Sequence, residues 1–102
     1  MPPSSSNKEY RLTKRAIADL EDIWLYTSDS WSPAQADTYH RKLISALDRL
    51  CAGEIGGRDC GEIRHGYFRI TVVSHIIFYR KRDYGYEVVR ILHQSMDLPR
   101  HL

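Results

Sequence analysis

One four-residue corner, Ser32-Pro33-Ala34-Gln35, constrains this chain more than any other feature, because it stands between two segments of helical periodicity. Ser32 offers a capping oxygen, Pro33 suits a first helical position whose N–H has no partner in any case, and Gln35 completes a capping box. Before the corner, Ala16, Ile17, Leu20, Ile23, Trp24, Thr27 and Trp31 recur at steps of three and four. After it, Ala36, Tyr39, Leu43, Leu47, Leu50 and Cys51 do the same, with Ile44 and Ala46 beside them. Asp19, Glu21, Asp22 and Asp29 fall mostly away from the first stripe. Two amphipathic helices joined so tightly fold back as an antiparallel hairpin.

The flanking segments read as strands. Glu9 to Leu12 is a short one, after which Thr13 can cap a helix beginning at Lys14. Gly53 ends the second helix by accepting a left-handed conformation, and a loop follows to Gly61. Tyr67 to Val73, His75 to Lys81 and Tyr86 to His93 complete the set, joined by a tight turn at Ser74 and by Arg82-Asp83-Tyr84-Gly85. The run Ile76-Ile77-Phe78-Tyr79 is apolar on both faces, which predicts a central strand. The expected fold class is α+β, in the order β-α-α-β-β-β, with the helical hairpin packed on a mainly antiparallel sheet.

A chain of 102 residues fits one domain, expected over residues 9–102. Residues 1–8 are Pro/Ser-rich, lack the apolar core of a signal peptide, and read as a disordered tail on a cytoplasmic protein. No apolar run is long enough to span a bilayer. Residues 1–57 carry 7 basic and 8 acidic side chains, net −1, and residues 58–102 carry 8 and 5, net +3, so the C-terminal part suits an acidic partner. Cys51 and Cys60 lack metal-ligand spacing and read as ordinary thiols.

The C-terminal segment EVVRILHQSMDLPRHL is unusually apolar for a chain end, and Met96, Leu98 and Leu102 imply that it docks on something. His93, Asp97 and His101 are spaced by four, but only a continuous helix would gather them on a metal, and Pro99 interrupts one. No metal or other cofactor is therefore expected. Glu62, His65, Arg69, His75, Arg90 and His93 supply the residue types of a metal-free ribonuclease, which needs a base, an acid and cations at the phosphate. A Gly-x-Ser-x-Gly elbow and a phosphate-binding loop are both absent from the sequence. Of the aromatic residues in the first helix, Trp24 continues the core stripe and Tyr26 falls outside it.

Taken together, YRLTKRAIADLEDIWLYTSDSW, HGYFRITVVSHIIFYR and EVVRILHQSMDLPRHL resemble the ParE branch of the RelE/ParE superfamily, the toxins of bacterial type II toxin–antitoxin modules that stabilise plasmids. The marks are Leu20-Glu21-Asp22-Ile23-Trp24, Gly66-Tyr67-Phe68-Arg69, Phe78-Tyr79-Arg80 and the terminal HQSMDLPRHL. The resemblance implies a non-enzymatic toxin that binds and poisons DNA gyrase, with no sequence-specific nucleic-acid binding of its own. It also implies a ParD-like antitoxin whose extended C-terminal segment wraps the helical hairpin and sheet. Leu20, Ile23, Trp24, Tyr26, Trp31 and Tyr39 are the expected antitoxin contacts. Arg69, Arg90, Met96, Leu98, Arg100, His101 and Leu102 are the expected gyrase contacts. The RelE branch cuts mRNA at the ribosome, and it carries an Arg after the His of the corresponding strand; Ile76 stands there in this chain. The ribonuclease alternative would use Arg69 as cation, Glu62 as base and His93 as acid, and a third possibility is a remnant that only binds antitoxin.

Overall fold

The expected helix signals produce their helices in the computed structural model, which describes residues 8–102. Helix α1 (Lys14–Ser30) is capped by Thr13, whose Oγ1 accepts from the Ala16 N–H at 3.1 Å. Helix α2 (Pro33–Cys51) begins with Pro33 in its first turn, while Ser32 Oγ accepts from the Gln35 N–H at 3.1 Å. Each cap stabilises its helix by about 1 kcal/mol. Gly53, at φ 77, follows the last turn of α2, and the Glu54 N–H closes back on the Arg49 carbonyl.

Five strands form one sheet: β1 (Glu9–Leu12), β2 (Arg58–Asp59), β3 (Tyr67–Val72), β4 (His75–Arg82) and β5 (Gly85–His93). Their spatial order is β1-β5-β4-β3-β2, with the doubly apolar β4 at the centre as its sequence implied. The sheet is mixed, because β1 pairs parallel to β5 while the other pairs are antiparallel. Two elements were not expected: the two-residue β2, too short for a periodic signal, and a final turn of helix, α3 (Leu98–His101). Pro99 was expected to forbid helix in the tail. It instead lies in the first turn of α3, where a missing N–H leaves no bond unmade.

The hairpin packs on one sheet face. Ala16, Leu20, Leu43, Leu47 and Leu50 meet Ile70, Ile77, Tyr79, Val88 and Ile91 there. The opposite face carries a second, smaller core of Cys60, Tyr67, Ile76, Phe78 and Leu92, covered in part by Leu98 and Leu102 from the tail. The periodicity of α1 overstated its burial: Ile17 is 45% exposed and Trp31 75%. Of residues 1–8, expected to form a disordered tail, 1–7 lie outside the described residues, and Lys8 is tied down, its N–H donating to the Cys51 carbonyl at 3.2 Å.

Gly85 shows how tightly β1 is set against β5. Its φ is +144, and a Cβ there would collide with the backbone carbonyl and amide of Glu9. Gly85→Ala therefore combines a disfavoured conformation with a clash that only strand separation relieves. The expected loss is roughly 3 kcal/mol, read as a Tm lower by roughly 10 °C or more in a thermal melt.

Candidate functional site

Among the open concavities around the helices, three gather distinct chemistries. The most apolar polar-floored one lies between α1, the start of α2 and the C-terminal end of β5, with a volume of about 710 Å³. Tyr26 and Trp31 stand on its rim, 72% and 75% exposed, and Met96 faces it from the tail at 39%. Ile23, Tyr39 and Ile91 form its wall. Large aromatic and Met side chains left in water without burial elsewhere are the composition of an interface core.

The floor of this groove is a hydrogen-bonded cluster. Tyr39 Oη accepts from the Ser74 N–H at 3.2 Å and contacts His75 Nδ1 at 2.6 Å and the Val72 carbonyl at 3.3 Å. The contact with Nδ1 is a hydrogen bond whose direction follows the His75 tautomer: a donating Nδ1–H leaves the single hydroxyl proton for the Val72 carbonyl. His93 packs edge-on against His75 with ring centroids 5.2 Å apart, and its Nδ1 pairs with Ser95 Oγ at 2.7 Å. Burial, reinforced by His93, pushes His75 down to about 4. Burial also raises the Tyr39 hydroxyl, against the partial opposition of its bond to Ser74. Tyr39 holds a strained turn, since Val73, β-branched and 61% exposed, sits at φ 55.

The sign of the pH effect follows directly. An unfolded His75 takes up its proton near pH 6.5 and the folded one near 4, so between these values the unfolded state binds more protons and is favoured. The contribution is complete above about pH 7 and falls as pH drops toward 4, by roughly 1–2 kcal/mol once partial exposure is allowed for. Urea midpoints measured at pH 7 and pH 4.5 should therefore differ less in His75→Gln than in the wild type; an equal difference would remove His75 as the cause.

On the other side of α1, a shallower cleft is lined by Leu12, Ile17, Leu20, Trp24 and Leu25. Here Trp24 Nε1 donates to Asp37 Oδ1 at 2.9 Å, clipping α1 to α2. The six expected antitoxin residues thus divide: Ile23, Tyr26, Trp31 and Tyr39 line the first groove, and Leu20 and Trp24 line the second. Leu20 is only 8% exposed and belongs mainly to the core.

The third concavity, about 890 Å³, lies between α2 and the β2–β3 edge of the sheet. Arg41, Lys42, Arg49, Arg58 and Arg69 surround a floor that includes Ile55, Ile70 and Val72.

The seven expected gyrase residues do not form one patch either. Arg69 and Arg90 occupy a single row across the sheet, each opposite Phe78. Arg69 reaches the basic groove. Arg90 is held by Asp19, with Nε donating to Oδ2 at 2.8 Å and Nη2 to Oδ1 at 2.9 Å, and both side chains are nearly buried at 11% and 13% exposure. Bonding to Asp19 raises the Arg90 pKa further. Leu98 and Leu102 pack inward on the second core, whereas Met96, Arg100 and His101 are exposed. Asp19 is the structural residue that the helix pattern missed.

The ribonuclease set is likewise dispersed. Arg69 lines the basic groove, His93 the aromatic one, and Glu62 is exposed in the loop before β3 and lines neither. Ile76 is 6% exposed in the second core.

This architecture has known counterparts. A family model described as the ParE toxin of the type II toxin–antitoxin system parDE matches residues 10–98. Toxin ParE1 of Mycobacterium tuberculosis strain H37Rv is 45% identical over 97 residues, covering 94% of this chain and 99% of the relative. Toxin ParE1 of Caulobacter vibrioides is 40% identical over 95 residues, covering 93% and 98%. A solved structure described as the chromosomal ParDE system from P. aeruginosa superposes with a TM-score of 0.74 over 86% of this chain and 97% of that one, at 18% identity. The likeness in fold and the near full-length identity to curated toxins agree, and the chain belongs to the ParE family of type II toxin–antitoxin toxins.

Proposed function

We propose that this chain is a cytoplasmic toxin that inhibits DNA gyrase by binding, and that a ParD-like antitoxin neutralises it by covering the α1–α2 hairpin. The observation that carries the partner half is the Tyr26–Trp31–Met96 groove, where aromatic residues stay in water in the free chain. Kinship with curated ParE toxins over nearly the whole length supports the toxin half. A binding mechanism is favoured over mRNA cleavage by the dispersal of Arg69, Glu62 and His93, and by the aliphatic Ile76 where the ribonuclease branch places a phosphate-binding cation.

A binder of this size stops a large enzyme by holding one of its conformational states, to an extent set by its differential affinity. Arg100 and His101 are the free cationic and polar groups of the tail and are the side chains through which it would touch the target. Excess protein is expected to inhibit supercoiling by purified gyrase, and Arg100→Ala with His101→Ala is expected to raise the required concentration at least about tenfold, a loss of about 1.4 kcal/mol. Supercoiling that continues at saturating toxin would reject the proposal, and codon-linked cuts in a translation extract would replace it with the ribonuclease reading. Deletion of Leu98 to Leu102 is a poorer test, because it also uncovers the second core and removes the carbonyls that accept from Arg90 and Arg64.

A further inference from the structure

The helical hairpin covers one face of the sheet, and strand register determines what the other face carries. Side chains alternate along a strand, so Phe68, Ile70 and Val72 meet the hairpin while Tyr67 and Arg69 point the other way. Cross-strand partners share a face, which puts Arg58 opposite Arg69 and Arg80 opposite Tyr67 on that same side. Arg64 joins them from the loop before β3. Its guanidinium carbon lies 5.7 Å from the centroid of the Tyr67 ring, and that of Arg80 lies 5.6 Å from the same ring. These arginines are uncompensated. Among the described residues Arg11, Arg49, Arg82 and Arg90 each have a salt bridge, whereas Arg58, Arg64, Arg69 and Arg80 have none. Two acids close in register are engaged elsewhere: Glu87, opposite Arg80, is held by Arg82 at 2.8 Å, and Asp59 Oδ1 accepts from the Gly61 N–H at 2.7 Å. Arg58 and Arg69 are directly opposed like charges, a pairing that costs stability. Nor does the face offer a partner an apolar anchor. Tyr67, Ile76, Phe78 and Leu92 beneath the arginines are at most 7% exposed. The exposed Tyr26, Trp31 and Met96 belong to the aromatic groove, Ile17 and Leu25 to the α1 cleft, and Val73 to the turn after β3.

We propose that this face binds the phosphate backbone of duplex DNA, without regard to sequence, through Arg58, Arg64, Arg69 and Arg80. A protein partner would need apolar anchors at the centre of its interface, and this face has none to give. An interface with a nucleic-acid backbone is polar and strongly basic, as this one is. The guanidinium fork matches two phosphate oxygens at once, and the Tyr67 ring holds Arg64 and Arg80 in place before any ligand arrives. A phosphate seated between Arg58 and Arg69 relieves their mutual repulsion, so the cost carried by the free protein becomes a gain on binding. An unpaired strand is the poorer fit, because its bases need exposed rings on which to stack and Tyr67 is only 7% exposed. The choice of DNA rests on the gyrase reading. Arg64 Nη1 donates to the Leu102 carbonyl at 3.1 Å, so the face adjoins the tail proposed to meet the enzyme, and duplex DNA is what that enzyme holds.

Fluorescence anisotropy of a labelled duplex of arbitrary sequence, titrated with the full chain, tests this without gyrase. The logarithm of the binding constant should fall with the logarithm of salt concentration at a slope of about −3 to −4, as four neutralised phosphates require. Arg58→Gln with Arg80→Gln should bring the slope to about −2 and weaken binding at least about tenfold at low salt. Neither side chain has an ion pair among the described residues, so the melting temperature should hold. Arg80→Lys, which keeps the charge, should keep the slope. Arg41→Gln with Lys42→Gln, on α2, should leave slope and affinity nearly unchanged; a loss there with Arg58 and Arg80 silent would move the site into the basic groove and overturn the proposal. Absence of salt-dependent binding would overturn it too. So would polyglutamate bound more tightly than the duplex at equal salt, in favour of an acidic protein surface, and duplex RNA bound more tightly would overturn the choice of DNA. Gyrase inhibition is read separately: supercoiling unaffected by the toxin, with the duplex still bound at the expected slope, would keep the DNA site and remove its link to gyrase.

Discussion

Replacing Asp19 with alanine is expected to destabilise this protein by roughly 3–5 kcal/mol, the cost of leaving one member of a buried ion pair without the other. Asp19 does three things at once. Its two oxygens accept from Arg90, and Oδ2 also accepts from the Ile91 N–H at 2.9 Å. The last bond is needed because β1 ends at Leu12, opposite Val88, while β5 continues to His93. The edge of β5 beyond that point is closed by α1, with the Thr13 N–H on the Val88 carbonyl, Thr13 Oγ1 on the Val89 carbonyl and Asp19 on Ile91.

Arg90 carries the effect further, since its Nη1 donates to the His101 carbonyl at 2.9 Å and so fastens α3. Urea denaturation should show the full loss in Asp19→Ala and a smaller one in Asp19→Asn, which keeps an acceptor for Ile91. Adding Arg90→Ala to Asp19→Ala should cost little more, because the pair acts as a unit. Limited proteolysis should release the C-terminal residues faster in either variant. A loss below about 1 kcal/mol in Asp19→Ala would mean that water replaces the carboxylate and that the pair is merely superficial.

The same pair marks where local pattern stops informing. The helices, the turn at Ser74 and the central place of β4 follow from caps, periodicity and two-faced apolar composition, all of which act over a few residues. What Asp19 touches depends on strand order and on the mismatch in length between β1 and β5, neither of which has a local signal. A trace was nonetheless present: Asp19 lies within the Ala16–Leu20–Ile23 face, three residues after Ala16 and four before Ile23, and Arg90 interrupts the apolar run Val88 to Leu92. An acid in one buried stripe and a base in another is a pairing that can be read in advance. The exposure of Tyr26 follows from its place outside the stripe, whereas that of Ile17 and Trp31 was less legible, because periodicity marks an apolar face without saying how wide a strip the sheet can cover. The sheet reaches Ala16 and Leu20, and the margins of the stripe remain in water. Those margins are the surfaces that a partner would bury.

Tyr26→Ala together with Trp31→Ala is accordingly expected to weaken antitoxin binding about 100- to 1,000-fold, as two aromatic anchors worth about 2 kcal/mol each would give with partial overlap. The free protein should scarcely register the change, since both rings are already largely in water and exposed substitutions of this kind stay within about 0.5 kcal/mol. Binding and folding are therefore separable here, which they are not for Leu20 or Tyr39. In cells, the double variant should arrest growth as the wild type does and should no longer be rescued by co-expressed antitoxin. Ile17→Ala with Leu25→Ala serves as the comparison, because these exposed apolar residues line the cleft on the opposite side of α1. If the Tyr26–Trp31 groove is the antitoxin's main anchor, this second pair should change affinity by no more than about threefold, well under 1 kcal/mol. Isothermal titration of the two double variants decides between the clefts: a large loss from Ile17 and Leu25, with Tyr26 and Trp31 silent, would move the anchor across the helix.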